Sequence, residues 1–580
     1  MRRRPFPILD WLPAYRKSYL RGDVIAGLTT GVMLIPQGMA YALIAGVPAV
    51  YGLYASLVPP VAYAVFGTSR RLAVGPVAMD SLLVASALGT LALVEPGQYV
   101  AAAVFMALLV GAIQLLLGGL KLGFLSNFLS RPVLSGFTSA AAIIIGISQV
   151  RHLLGVEVAG SARLHEIGWR TVQALPETNL YAVGVGLATL AIIMVLKRFA
   201  RGVPSALVVV ALGTVIVALL GWDAEGIPIV GDVPAGLPAF EVPGLRSGLL
   251  RPLLPLALTL ALIGYAESIA IAKASQERIP DHKIDPNQEL VALGMSNITG
   301  SLFSAYPATA SFSRSVINED AGAQTPMAGV VTAALIALTL LLLTPLFYYL
   351  PEAVLGAIIF AAVGKLIDFR YAAKLWADNR VEAVILTITF LLTLSVGMVF
   401  GILAGIFCSL AYTVYQVSTP HVAEIGRVGG TDYFRNINRF RDDIVVRPDV
   451  LMFRFDAPIF FGNAAFFEDE LTTKIRRRGD DLRTVVINSE AITYIDSTGQ
   501  FMLCALITKL QERGLRVVIS GAIGPVRETV LRGPIGALVG EEHMFVRSSE
   551  VIDYLDGVCG PTEASRRIAL QGRERIPPAT

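Results

Sequence analysis

The sequence predicts an α-helical membrane protein with fourteen transmembrane segments arranged as a 7+7 inverted repeat, followed by a small cytoplasmic α/β domain. Three observations predict it. Of the 580 residues, 54% are hydrophobic and 16% charged, against ~45–50% and ~25% in soluble domains. Uncharged stretches such as Val100 to Leu120 and Pro326 to Pro351 recur as far as Val417, each able to supply the ~20 apolar residues that a helix needs to cross a hydrocarbon core. The apolar pattern then stops at "STPHVAEIGRVGG", which begins at Ser418, and ordinary soluble composition follows.

Taken in order, residues 1–20 form an amino-terminal segment with no apolar run before Val24, so no cleavable leader is expected. The transmembrane domain covers 21–418, with spans near 24–45, 50–67, 75–93, 99–120, 123–149, 178–197, 203–221, 252–273, 286–302, 309–321, 326–349, 352–369, 380–396 and 398–417. Basic residues fall in alternate loops: Arg16 to Arg21, Arg70 and Arg71, Lys121 and Arg131, Lys197 to Arg201, Lys273 to Lys283, and Arg370 to Arg380. The positive-inside rule therefore places both termini in the cytoplasm, the basic loop from Arg151 to Arg170 being the one that fits poorly. Residues 419–440 read as a linker, 441–560 as the α/β domain and 561–580 as a flexible tail. In the α/β domain, "VLMFRFDAPIFF", "TVVINSE" and "LRVVISG" are strand-like, and "STGQFMLCALITKLQERG" is an amphipathic helix ending at Gly514. Cys408, Cys504 and Cys559 are too scattered for a disulfide framework or a zinc site, and no metal or cofactor is expected. The net charge of +3 gives no case for nucleic acid.

Two spans are broken in a similar way. "AVGPVAMDSLLVASAL" and "SLFSAYPATASFSRSVINED" each place a proline among small residues ahead of a short helix-compatible run, which suits an extended segment leading into a half-helix. Pro76 and Pro307 are 231 positions apart, and the polar centres Gln37 and Glu267 of two other spans are 230 apart. The shared offset predicts two halves of seven spans, inverted because seven is odd, with the broken segments meeting near the midplane at a substrate site.

These residues carry a resemblance. "RGDVIAGLTTGVMLIPQGMAYALIAGVPAVYGLYASLVPPVAYAVFGTSRRLAVGPVA", "YPATASFSRSVIN", "DAPIFFGNA" and "INSEAITYIDSTG" make the chain similar to the sulfate permease family of anion transporters (SulP, the solute carrier 26 group) from about Trp11 to Leu555, and the tail resembles a STAS domain. The resemblance implies a core domain of spans 1–4 and 8–11, a gate domain of spans 5–7 and 12–14, a homodimer and elevator-type movement. It further implies a multi-pass protein of a bacterial inner membrane that carries a small anion of the sulfate, bicarbonate or dicarboxylate class, and no enzymatic activity.

An anion leaving water needs donors and positive potential, which half-helix amino termini supply through unpaired N–H groups and about +0.5 of an elementary charge each. The expected substrate site is therefore the backbone of Val77 and Ala78 facing that of Ser311, Phe312 and Ser313, the hydroxyls of Thr309, Ser311 and Ser313, and Arg314 one turn into the second half-helix. Gln37 and Tyr41, one turn apart, face the same pocket, and Phe137 is a packing residue on the gate side. Glu267 is the only ionisable group between Arg251 and Lys273, and a mid-span carboxyl is functional by default. It is expected to carry a coupling proton. The residue four on is Ile271, so the hydroxyl ligand found in sodium-coupled bicarbonate carriers is missing. Asp80 lies early in the first half-helix, where a negative charge opposes an anion; it is expected to point away toward a packing partner, the alternatives being that it is protonated or alters what binds. In the STAS-like loop "IDSTG", Thr498 matches a phosphorylated position, while Asp496 and Ser497 suit helix capping. Two other readings stay open: a sodium-coupled or electroneutral anion exchanger, and a membrane-anchored signalling protein whose STAS domain binds a cytoplasmic protein.

Overall fold

The structure is a computed structural model and describes residues 6–89, 91, 96–124, 130–156, 158, 164–200, 205–244, 247–280, 282–439 and 444–558. The chain divides into two compact units, residues 1–409 and 410–580.

In the first unit, α1 (Ile8–Trp11) precedes the long helix α2 (Lys17–Ala45), then α3 (Ala49–Tyr54), α4 (Val58–Phe66), strand β1 (Val74–Gly75), the half-helix α5 (Ala78–Leu88), α6 (Pro96–Gly119), α7 (Arg131–Leu154), α8 (Leu164–Gln173), α9 (Leu180–Phe199) and α10 (Ser205–Leu220). The second half opens on another long helix, α11 (Ser247–Arg278), followed by α12 (Pro286–Ser301), strand β2 (Thr309–Ala310), the half-helix α13 (Phe312–Asp320), α14 (Met327–Leu338), α15 (Glu352–Val363), α16 (Phe369–Asp378), α17 (Arg380–Ser395) and α18 (Met398–Ser418). Each half thus presents a long first helix and, further on, a two-residue strand that leads into a short helix. Seven helices among the described residues are long and apolar enough to cross a membrane. The others are short because they are half-helices or are paired in series, and together they make up the fourteen segments of a 7+7 inverted repeat.

β1 and β2 pair antiparallel, Val74 with Ala310 and Gly75 with Thr309. Opposite strand directions are what an inverted repeat requires at its crossing point. The prolines are not the equivalent positions: Pro76 directly precedes the N-cap Val77, whereas Pro307 lies four residues before the N-cap Ser311. Matching prolines found the two segments but not their register, which the strand pairing sets. Nearby helices pack closely through glycine. A Cβ added at Gly111 of α6 would lie 2.7 Å from the carbonyl oxygen of Gly294 on α12, so these backbones touch where any side chain would part them.

Two buried carboxylates fix loops of this unit. Glu289 on α12 accepts hydrogen bonds from Tyr63 Oη (2.7 Å), Thr68 N (2.8 Å), Thr68 Oγ1 (2.5 Å) and Ser69 N (3.2 Å), which locks the turn before β1. Asp23 on α2 accepts from Gln324 N (2.7 Å), Thr325 N (3.0 Å) and Thr325 Oγ1 (2.7 Å), just ahead of α14. α2 begins at Lys17, seven residues before the expected span at Val24, because its charged first turns extend the helix without belonging to its apolar part.

The second unit is a sheet with helices on both faces. β3 (Val422–Val428), β4 (Phe434–Asn436), β5 (Ile444–Val445), β6 (Val450–Phe455), β7 (Thr484–Asn488), β8 (Arg516–Ser520) and β9 (Met544–Phe545) form it in the order β4-β3-β6-β7-β8-β9, with β5 on β3. β6 to β9 are parallel and β3 joins β6 antiparallel. One face, with Leu451, Phe453 and Phe455, packs with Phe467 of α19 (Ala464–Arg478), Leu503 and Leu506 of α20 (Ser497–Glu512), Val526 of α21 (Gly524–Arg532) and Ile535 of α22 (Pro534–Val539). The alternate residues Val450 and Met452 pack with Val551 and Ile552 of α23 (Ser548–Leu555), as a period of two demands. The linker expected at 419–440 is corrected here: it carries β3 and β4, which belong to this sheet. Its glycines, Gly429 and Gly430, mark the turn between two strands, with Gly430 at φ +71°. The expected tail at 561–580 and Cys559 lie outside the described residues.

Candidate anion site at the crossing of the repeats

The site follows from how the chain runs into each half-helix. Val77 (φ −131°, ψ 141°) and Ser311 (φ −109°, ψ 127°) are extended N-caps, and the first backbone bonds inside the helices are Ser81 N to Val77 O and Ser315 N to Ser311 O, both 2.9 Å. The N–H groups of Ala78, Met79 and Asp80, and of Phe312, Ser313 and Arg314, therefore precede any intrahelical partner. The extended segments are tied into the scaffold by Ser311 N donating to Ala73 O (3.0 Å), Ala73 N to Ser315 Oγ (3.0 Å), Ala310 N to Ser268 Oγ (3.2 Å) and Ala308 N to Asn297 Oδ1 (2.9 Å).

Arg314 is completely buried. Its Nε and both terminal nitrogens have no hydrogen-bond partner among the described residues. A Cβ at Gly75 would lie 3.3 Å from a terminal nitrogen of Arg314, and Gly75 has φ +156°, so the guanidinium rests against the first strand where only glycine leaves room. Around it stand Tyr41, Tyr306 and Glu267, each close enough to interact electrostatically. Glu267 forms no ion pair with Arg314, and its Oε2 is buried without a partner. A buried guanidinium that no acceptor hydrogen-bonds among the described residues is costly, and an entering anion would supply that acceptor.

The structure places the other expected residues as follows. Tyr41 is buried beside Arg314 and Glu267; Gln37, one turn away, is buried with Oε1 unpartnered. Val77 and Ala78 begin the first half-helix as expected. Thr309 is buried, but its hydroxyl donates to Asp80 Oδ2 and is not free for an anion. Ser311 Oγ lies 3.3 Å from Ser313 Oγ, while the Ser311 N–H is already used by Ala73, which leaves Phe312 and Ser313 as the open amides there. The side chains of Phe312 and Ser313 are exposed. Phe137 is buried packing on α7. Asp80 does not point away: it is buried, bridges to Thr309 and keeps Oδ1 without a partner.

Sequence reasoning missed Tyr306, whose hydroxyl is 3.1 Å from Ser81 Oγ, and the scaffold residues Ser268 and Asn297. Asn297, which also donates to Gln114 Oε1 (3.1 Å), had a signal of its own as an amide inside an apolar span. In the second unit, Asp496 Oδ1 accepts from Gly499 N (2.7 Å) and its Oδ2 from Phe461 N (2.9 Å), so Asp496 caps α20. Thr498 is exposed in the first turn of that helix.

A buried arginine where two half-helices start, at the crossing of an inverted repeat of spans, is the arrangement that a membrane transporter of anions requires. The match to known proteins makes this specific. Residues 20–389 match the sulfate permease family and residues 441–548 the STAS domain, and the chain belongs to the sulfate permease family. It is a transporter and not an enzyme. It is 37% identical over 565 residues to "Sulfate transporter 4.1, chloroplastic" of Arabidopsis thaliana, covering 94% of this chain and 82% of the relative, and 32% identical over 535 residues to a "Probable sulfate transporter" of Mycobacterium tuberculosis (strain ATCC 25618 / H37Rv), covering 92% and 94%. Its fold is shared with the murine Solute Carrier 26 family member A9 anion transporter in the inward-facing state (TM-score 0.89, 23% identity, 95% of this chain and 94% of that one) and with the transmembrane domain of a cyanobacterium bicarbonate transporter, BicA (TM-score 0.58, 25% identity, 68% and 98%).

Proposed function

We propose that this protein is a secondary active transporter that carries sulfate or a similar small oxyanion across a bacterial inner membrane together with a proton. The observation that carries the reading is Arg314, a fully buried guanidinium with three unpartnered nitrogens beside the free amides of two half-helices. Sulfate comes first because the relatives at 37% and 32% identity bear that name; bicarbonate, named for the structural neighbour BicA, and dicarboxylates are the other substrates of the class.

The anion gives up water and receives in exchange the amides of Ala78, Phe312 and Ser313 and the charge of Arg314, with Gln37 and Tyr41 closing the wall from α2. Glu267, one carboxyl oxygen of which has no partner, takes up a proton as the anion binds, so that its own charge no longer competes for Arg314. The loaded core, spans 1–4 and 8–11, then moves against the gate, spans 5–7 and 12–14, and opens the site on the other side. Both termini are cytoplasmic and the working unit is a homodimer. In the STAS domain, Thr498 is the regulatory position, because a phosphate there meets the positive end of α20; absence of phosphate at Thr498 in protein purified from its native host removes that role.

Uptake of labelled sulfate, bicarbonate and fumarate into proteoliposomes under an imposed pH gradient tests the reading. Wild-type sulfate uptake is expected to accelerate with an inward proton gradient and to ignore a sodium gradient, while Glu267→Gln weakens the acceleration. A variant that keeps the wild-type pH dependence eliminates Glu267 as the proton carrier, and a strict need for Na⁺ replaces proton coupling by sodium coupling.

A further inference from the structure

Asp80 is the charged group at this site that proton coupling through Glu267 leaves unused. It occupies the first turn of α5, is completely buried, accepts a hydrogen bond from Thr309 across the repeat, and leaves Oδ1 with no partner among the described residues. It is not a helix cap, since Val77 holds that position with no side-chain bond. On α11 it lies against Gly264, where an added Cβ would come 3.8 Å from Asp80 Oδ2, and Glu267 follows three residues on, along the same face. The groups that surround it are Glu267 from α11 and Tyr306 from the segment before β2, each within electrostatic reach; beyond these stand Arg314 from α13 and Tyr41 from α2. α6 carries no charged side chain, and its Tyr99 hydroxyl donates to Ala45 O. The charged residues of α7, Arg131, Arg151 and His152, lie at its two ends.

The charges of this small volume can be weighed against the anion. Arg314 supplies one positive charge, and the two half-helix amino termini add about half a charge each, which together match a divalent anion. That match holds only when neither Asp80 nor Glu267 is ionised. With Asp80 ionised in the first turn of α5, its carboxylate competes for the same helix end and repels a dianion in a site that water does not screen.

We propose that Asp80 is a second proton-carrying group of the transport cycle, loaded together with Glu267, so that one divalent oxyanion crosses with two protons and no net charge. The proton comes from bulk water when the anion enters and returns to it when the anion leaves; no bond other than O–H is made or broken. The inference rests on the proposed role of Glu267 and extends it.

The test counts protons in two ways. In weakly buffered detergent solution, adding sulfate to the purified full chain should draw two protons per anion bound from the medium, read by a pH indicator; Asp80→Asn and Glu267→Gln should each draw one, and the double variant none. In proteoliposomes, wild-type sulfate uptake should be indifferent to membrane potential, whereas Asp80→Asn should be slowed by an inside-negative potential. Asp80→Ser serves in the same assays if the asparagine variant does not fold. A wild type that takes up a single proton, lost in Glu267→Gln and kept in both Asp80 variants, overturns the role of Asp80 and leaves that of Glu267 intact. A wild type that takes up none overturns both.

Discussion

At the scale of residues, Arg314 and Gly75 belong together. Arg314→Gln removes the full positive charge of the site while keeping a planar polar end, and sulfate binding measured calorimetrically is expected to weaken by at least about tenfold, since a hydrogen bond to a charged group is worth ~1.5–3 kcal/mol. Gly75→Ala puts a methyl 3.3 Å from the guanidinium and asks an L-residue to hold φ +156°; it should weaken sulfate binding several-fold with Arg314 still present, and unchanged affinity would show that the guanidinium does not need that position. The residue types of the site were legible in the sequence: a glutamate alone in a span, an arginine after a proline, a glutamine and a tyrosine one turn apart. Their contacts were not. The Asp80 to Thr309 bond joins positions 229 apart, and nothing local in "GPVAMD" says that its aspartate will meet a threonine of the other repeat. The same bond explains why the Thr309 hydroxyl, a donor by its chemistry, is already committed.

At the scale of elements, helix α12 acts through Glu289. Its carboxylate gathers two backbone amides and two hydroxyls, and the turn it holds leads directly into β1. Glu289→Gln keeps one carbonyl oxygen for the Thr68 and Ser69 donors but removes the charge and turns an NH₂ toward Tyr63 Oη, so a loss of about 1.5–3 kcal/mol is expected, read as a lower thermal unfolding midpoint of the purified protein; an unchanged midpoint would mean that a neutral acceptor suffices. The apolar runs of the spans were readable because the bilayer demands them, but the helix ends were not: α2 begins seven residues before its expected span and α7 eight residues after. The half-helices were readable because proline among small residues marks an extended approach to a helix. The register between the two approaches was not, since the prolines of the two halves sit at different distances from their N-caps. β3 reads as linker in the sequence because a strand at the sheet's antiparallel side, followed by Gly429 and Gly430, has the composition of a connection until its partner β6 is known.

At the scale of the whole molecule, the two compact units require separate tests. In the STAS unit, the Arg447 guanidinium beside Asp449 holds its carboxyl below the usual carboxylate range. Burial pushes the Asp456 carboxyl up, and Arg454 and His421 outweigh it and hold it down. Groups lowered in this way stabilise the folded domain at full strength above a pH of ~4 and lose that contribution as the pH falls further. Proton-dependent transport near neutrality is therefore expected to come from the membrane unit. Ending the chain after Ser418 should leave reduced sulfate flux with the wild-type pH dependence, measured in proteoliposomes; complete loss of flux in a truncated protein that still folds would favour the signalling reading.

The short ladder between β1 and β2 has a kinetic consequence. It splices the two half-helix ends into one piece, so in the proposed elevator movement the cradle travels without being rebuilt and offers the proposed anion the same grip from either face. Such a carrier has no built-in direction. With equal pH on both sides and no membrane potential, half-saturation measured from the inside and from the outside should coincide, and the gradients alone decide whether the cell gains or loses its anion.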